Sequence, residues 1–146
     1  MTKEQRKEAR TRIKLKLGEY ILLERERLQL IEEIQVLEAK RTGPGSIRMD
    51  GMPRGSSNGD AMASGLIQKE ELQARYARKV QEMEAVQSAI EDLIEGLNPT
   101  ERKLFRHRYI EGMTWENVCV AMSYSWRQTH NIHAKALDKL IDRSEV

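Results

Sequence analysis

The chain has 146 residues, of which 33% are charged and only 5% are aromatic, with 25 basic and 23 acidic side chains. This length suits one ordinary domain, or a small domain plus an extended element, and the composition favours long solvated helices over a large compact core. The net charge of +2 neither indicates nor excludes a nucleic-acid partner, so the distribution of charge must decide.

Cysteine content and hydropathy bear on the compartment. Cys119 is the single cysteine, so no internal disulfide can form, which is usual in a reducing compartment. No apolar run approaches the roughly 18 residues of a membrane span, and the basic start lacks the apolar core and cleavage site of a secretory signal. We therefore expect a soluble cytoplasmic protein without a membrane partner.

Residues 1–41 predict one long amphipathic helix. Apolar residues recur there at steps near three and four, without a proline and with one glycine. They are Ile13, Leu17, Tyr20, Leu28, Ile31, Ile34 and Leu37. Residues 42–65 then collect most of the glycine, together with proline and serine, and predict a linker.

Residues 66–96 predict a second long helix. Its apolar stripe consists of Tyr76, Val80, Met83, Ile90, Ile94 and Leu97. The simplest arrangement lays the two long helices antiparallel, as a coiled-coil-like hairpin. Neither stripe is wide enough to be buried from all sides, so partner helices from the same chain or a second copy are needed. We expect a homo-oligomer, with a dimer favoured.

Residues 97–146 carry the start and stop signals of three short helices. In chain order these signals are Asn98, Pro99 and Glu101, then Gly112, then Thr114, then Ser125 with Gln128. A turn of only a few residues separates the second and third helices, which is typical of a helix-turn-helix. Cys119 provides the small buried residue that such a motif needs inside its first helix. A plain three-helix bundle is the alternative.

The sequence therefore predicts an all-α protein, in which a long helical hairpin is joined to a C-terminal three-helix domain with a helix-turn-helix. This final third of the chain resembles region 4 of bacterial sigma factors. The residues that carry the resemblance are Leu97, Pro99, Glu101, Arg102, Arg108, Tyr109, Gly112, Thr114, Glu116, Val118, Ser125 and the run from Ile132 to Leu140.

The chain also departs from sigma factors. It has nothing like region 2, so the resemblance does not imply a complete sigma factor. Ser123 stands where sigma factors often have glycine or aspartate in the turn, and Trp126 stands where they often have arginine. The base preference of sigma factors therefore does not carry over to this chain.

The whole layout is similar to phage-encoded transcriptional activators of the autolysin-regulator and RinA type. It shares with them a long helix, a linker with Met49 to Pro53 and Gly55, an acidic helix and a sigma-like helix-turn-helix. The resemblance implies a DNA-binding activator of late or packaging genes in a host bacterial cell, associated with the nucleoid. Contact with bacterial RNA polymerase is a further implied property.

The amino-terminal part of a recognition helix meets base edges in this motif. The candidate base-contacting residues are Trp126, Arg127, Gln128, His130 and Asn131. The candidate phosphate-contacting residues are Arg106, Arg108, Thr114, Ser125, Lys135 and Lys139. For Trp126 the alternative is packing on the first helix of the domain. The basic residues between Lys3 and Lys16 are either further phosphate contacts or a solvated helix end.

Enzyme and metal chemistry are not expected. No phosphate-binding glycine loop, nucleophile elbow or zinc-helix spacing occurs. His107, His130 and His133 fall in one segment, but with one cysteine and no close acidic pair we predict no metal site and no cofactor. Two functions besides a phage activator stay open. One is a small DNA-recognition subunit of a phage packaging terminase, and the other is a structural coiled-coil protein that binds no DNA.

Overall fold

The computed structural model describes residues 1–42 and 57–144, and every regular element among these residues is helical. The helices are α1 (Lys3–Thr42), α2 (Ser57–Ile94), α3 (Pro99–Phe105), α4 (Trp115–Met122) and α5 (Trp126–Ser144). A π-helical turn, Arg106–Ile110, follows α3 directly. The prediction of an all-α protein is confirmed.

The second long helix begins earlier than the sequence indicated. α2 starts at Ser57, so residues 57–65 of the predicted linker are helical. Gly59 and Gly65 lie inside this helix. A glycine inside a helix costs only about 1 kcal/mol relative to alanine, so it weakens the helix without preventing it. The motif from Met49 to Pro53 and Gly55 lies outside the described residues.

The described chain divides into two compact units, one of residues 1–23 and 83–146 and the other of residues 24–82. Within residues 24–82, α1 and α2 lie antiparallel. The Lys79 ammonium lies 2.6 Å from the Glu26 carboxylate, and the Lys69 ammonium lies 2.8 Å from that of Glu38. A later residue of α1 thus pairs with an earlier residue of α2, as in an antiparallel pair. This part of the chain therefore forms the predicted hairpin.

The unit of residues 1–23 and 83–146 contains the main apolar core. Its buried members are Leu17, Ile90, Ile94, Leu97, Leu104, Phe105, Tyr109, Val118, Ala136, Leu137 and Leu140. The predicted stripe of α2 is confirmed for Met83, Ile90 and Ile94, which are all buried. On α1, Leu17 is fully buried, but Leu28 of the predicted stripe is half-exposed.

Local signals place the start of α3 as predicted, whereas the α-helix ends at Phe105 and continues to Ile110 as the π-helical turn. Asn98 caps the helix, since its side chain accepts a hydrogen bond from the Glu101 amide (2.8 Å), and the Glu101 carboxylate accepts one from the Asn98 amide (3.1 Å). This reciprocal pair is the predicted capping box. Gly112 follows the π-helical turn with a φ of 71°, the left-handed conformation that glycine adopts without strain.

Candidate nucleic-acid interface

The connection between α4 and α5 is a short turn closed by caps at both helix starts. Thr114 caps α4 by accepting a hydrogen bond from the Asn117 amide, and Ser125 caps α5 by accepting one from the Gln128 amide (3.1 Å). Between the helices, Ser123 adopts the left-handed conformation, with φ 59° and ψ 37°. Ser123 is the one residue other than glycine with a positive φ in the described ranges, and the turn is therefore built on a conformation that is uncommon for serine.

The interior of α4 differs from the prediction. Cys119 was expected to be the small buried residue, but it is only half-buried. Val118, one position earlier, is fully buried and belongs to the core. Adjacent positions on a helix are about 100° apart, so the side that faces α5 is centred on the valine.

The outward face of α5 carries polar and cationic side chains. Arg127, Asn131 and Lys135 are all exposed and stand at successive steps of four, which places them on one side of the helix. Gln128 is exposed beside them. Four predicted DNA-contacting residues are therefore accessible together, and Arg127, Gln128 and Asn131 lie in the first two turns of α5.

The rings of Trp126 and His130 are in tilted contact at the first turn of α5. Their ring centroids are 4.3 Å apart, and the His130 ring also lies 4.5 Å from that of Trp115 in α4. Trp126 nevertheless remains 55% exposed. His130 is thus half-buried between two tryptophan rings, while the Trp126 side chain stays accessible.

Deeper along the same helix, His133 is buried among aromatic rings. Its ring centroid lies 4.7 Å from that of Trp115 and 5.3 Å from that of Phe105. Burial, aided by the nearby charge of Lys14, lowers the pKa of His133 to about 4. His133 is therefore neutral near pH 7 and belongs to the packing of α5. The sequence run that contains it gave no sign of this role.

The predicted phosphate contacts of the π-helical turn already have protein partners. The Arg106 guanidinium pairs with the Glu91 carboxylate at 2.7 Å, and this pairing raises the pKa of Arg106. Arg108 donates a hydrogen bond to the Met113 carbonyl (2.8 Å) and lies 4.8 Å from the centroid of the Trp115 ring. Arg108 therefore connects the π-helical turn to the start of α4.

The predicted phosphate contacts of α5 fall into two kinds. Lys135 is exposed, whereas the Lys139 ammonium lies 2.8 Å from the carboxylate of Glu101, itself only 5% exposed. Thr114 and Ser125 use their hydroxyl groups as helix caps. Among the predicted set, Lys135 is the cation best placed to meet a phosphate.

One feature that the sequence left open is the position of the basic start of α1. Arg10 donates hydrogen bonds from Nε (3.0 Å) and Nη2 (2.6 Å) to one oxygen of Asp138. Arg6 reaches Asp142 at 3.4 Å. The start of α1 therefore lies against the second half of α5. The only signals in the sequence are the excess of basic residues near one end and the two aspartates near the other, more than a hundred residues apart.

In the described ranges, no group of three or more histidine, cysteine, aspartate or glutamate side chains is placed to hold a metal ion. Across those ranges too, every helix is either too short or too polar to span a bilayer.

Comparison with known proteins adds no relative. No protein-family model, no curated protein and no solved structure matches this chain.

Proposed function

We propose that this chain is a transcription regulator that binds double-stranded DNA sequence-specifically, with α5 in the major groove. The observation that carries the proposal is the outward face of α5. It presents Arg127, Gln128 and Asn131 together, next to a capped helix start and a three-residue turn. A helix in this position reads base edges with the side chains of its amino-terminal turns.

The chemistry of these side chains suits base recognition. An arginine binds guanine through two hydrogen bonds, and glutamine or asparagine binds adenine in the same way. Arg127 takes the first role, and Gln128 or Asn131 the second. Trp126, exposed beside them, adds an apolar surface for a thymine methyl group, while Lys135 pairs with a phosphate.

The regulatory role rests on the resemblance to phage activators rather than on geometry. From this resemblance we propose an activator of phage late or packaging genes that acts at the nucleoid of a host cell and contacts RNA polymerase. The half-exposed Leu28 and Val36 of α1 are compatible with a second copy covering the hairpin, so a dimer is the expected form. A dimer would bind two half-sites about one helical turn apart.

The decisive experiment is selection of binding sites from a random duplex library, followed by affinity measurement on the selected site. We expect the wild-type chain to enrich one motif. The double variant Arg127→Ala with Asn131→Ala should lower the preference for that motif over a scrambled duplex by at least tenfold. Each good side-chain contact to a base contributes about 1–3 kcal/mol to discrimination against the wrong base. Arg25→Ala with Gln29→Ala, also exposed but in residues 24–82, is the matched control.

Enrichment of no motif by the folded wild-type chain would contradict sequence-specific binding and favour the structural coiled coil. Light scattering on the DNA complex separates the other alternative. A dimer on the selected site supports the regulator, whereas a large ring-shaped oligomer on packaging-site DNA would favour the terminase subunit.

A further inference from the structure

One flank of the start of α1 is a line of cations. Lys3, Lys7, Arg10 and Lys14 stand at steps of four, three and four, which is the spacing of one helix face. We call these four residues the cationic ridge. The acidic residues of the same turns, Glu4 and Glu8, lie to one side of this line. The ridge is thus a local concentration of positive charge in a chain whose net charge is only +2. Such like charges one turn apart repel each other.

The start of α1, which carries the ridge, is held against α5 by ion pairs. Arg10 contacts Asp138 through two nitrogens, and Arg6 contacts Asp142 one turn further along α5. Because the α5 partner moves towards the carboxyl end as the α1 partner moves towards the amino end, the two helices run antiparallel here. Lys14, one turn beyond Arg10, is close enough to α5 for its charge to depress the pKa of His133.

The ridge joins the face of α5 that carries the predicted DNA contacts. Arg127, Asn131, Lys135 and Asp138 follow one another at steps of four, four and three, so Asp138 lies on the same side of α5 as the other three. Arg6 and Arg10 neutralise the aspartates of that face. The exposed lysines of the ridge, Lys3, Lys7 and Lys14, therefore extend the positive surface that begins at Arg127 and Lys135.

We propose that the cationic ridge of α1 is a second phosphate-binding strip, which contacts the DNA backbone beside the groove that α5 enters. The inference rests on the proposed DNA-binding function and adds a surface to it. Base edges near the start of α5 and phosphates at the groove edge are separated by a distance of the order of the major-groove width, about 12 Å. The start of α1, which lies along the second half of α5, is therefore suited to reach the DNA backbone.

The test compares two double variants of the full-length chain that remove the same charge from the same helix. Lys7→Ala with Lys14→Ala changes the ridge. Arg12→Ala with Lys16→Ala changes two exposed cations that lie off the ridge. Binding to a fluorescein-labelled 30-base-pair duplex of mixed sequence, about 30 pairs being long enough for both surfaces, is followed by anisotropy over a series of salt concentrations.

We expect the ridge variant to lower the slope of log K against log salt by about 1.8, because each lost phosphate contact removes about 0.9. Its affinity at about 0.1 M salt should fall by tenfold or more, while the control variant keeps a slope close to that of the wild type. Lys7→Gln with Lys14→Gln should reproduce the ridge effect, and circular dichroism checks that every variant is folded.

Equal slopes for the ridge variant and the wild type would overturn the second strip while leaving the proposed function intact. Equal losses in the two double variants would also overturn it, because the effect would then be one of net charge alone. If the folded wild-type chain shows no salt-dependent duplex binding, the proposed function and the strip both fall.

Discussion

The hydroxyl of Tyr109 lies 2.6 Å from Nε2 of His133, and this buried hydrogen bond joins the π-helical turn to α5. Burial raises the pKa of Tyr109 to about 12 and lowers that of His133 to about 4. Both side chains are therefore neutral at pH 7, and their bond holds α5 against the rest of its unit. π-Helical turns are rare and often occur at functional sites.

This relationship predicts that the free energy of unfolding falls as the pH drops from about 6.5 to 4. In that window the unfolded chain gains a proton at His133 while the folded chain does not, because its pKa is depressed. Protonation thus stabilises the unfolded state, and the loss attributable to His133 is about 3 kcal/mol by pH 4. Urea denaturation at a series of pH values measures it.

The control is the double variant Tyr109→Phe with His133→Phe, which replaces both partners with apolar groups and leaves no orphaned polar atom. Its stability should be about 3 kcal/mol less sensitive to pH between 6.5 and 4 than that of the wild type. The same pH dependence in both proteins would show that His133 does not titrate as the structure indicates.

Replacing two glycines of the same unit with alanine should change the free energy of unfolding in opposite directions. Gly112 has a φ of 71°, and a Cβ there would lie 3.1 Å from Cδ1 of Ile21, so Gly112→Ala should cost roughly 1–2 kcal/mol. Gly18 lies inside α1, and beyond its chain neighbours and the backbone of its own helix nothing lies within 4 Å of an added Cβ, so Gly18→Ala should stabilise by about 1 kcal/mol. Denaturant titration measures the change in the free energy of unfolding for both variants. A change in the same direction for both would contradict the described backbone conformations.

Ser123 predicts a stabilising change at the turn between α4 and α5. A serine with φ 59° bears the strain of a left-handed conformation, which glycine avoids. We expect Ser123→Gly to raise the free energy of unfolding by about 1 kcal/mol and Ser123→Val to lower it by a similar amount. Ser123→Ala is the near-neutral reference for the thermal melts. A glycine variant less stable than the alanine variant would exclude the left-handed turn.

Lys135 and Lys139 stand one turn apart on α5, yet they should affect different properties. Lys139→Ala removes the partner of the buried Glu101 carboxylate and should cost about 1 kcal/mol, a modest value since water screens the half-exposed lysine. Lys135→Ala should leave stability unchanged and lower the salt slope of DNA binding by about 0.9. Thermal melts and anisotropy on both variants separate the two roles. A larger loss of stability in Lys135→Ala than in Lys139→Ala would contradict these two roles.

Much of the local structure follows from the sequence alone. The caps at Asn98, Thr114 and Ser125 are each satisfied within three residues, so the starts of α3, α4 and α5 can be read from neighbouring positions. Apolar spacing likewise indicated the buried positions Met83, Ile90 and Ile94 of α2. The start of α2 was misplaced because glycine-rich composition weakens a helix without excluding it.

The arrangement around α5 was decided by tertiary structure. Arg10 and Asp138 are 128 residues apart, Lys139 and Glu101 are 38 apart, and Tyr109 and His133 are 24 apart. Helical periodicity states which side of a helix is apolar but not which helix covers it or at what register. The sequence therefore determined the helices and their capped starts, whereas packing decided which cations are paired with carboxylates and which stay exposed on α5 and on the start of α1.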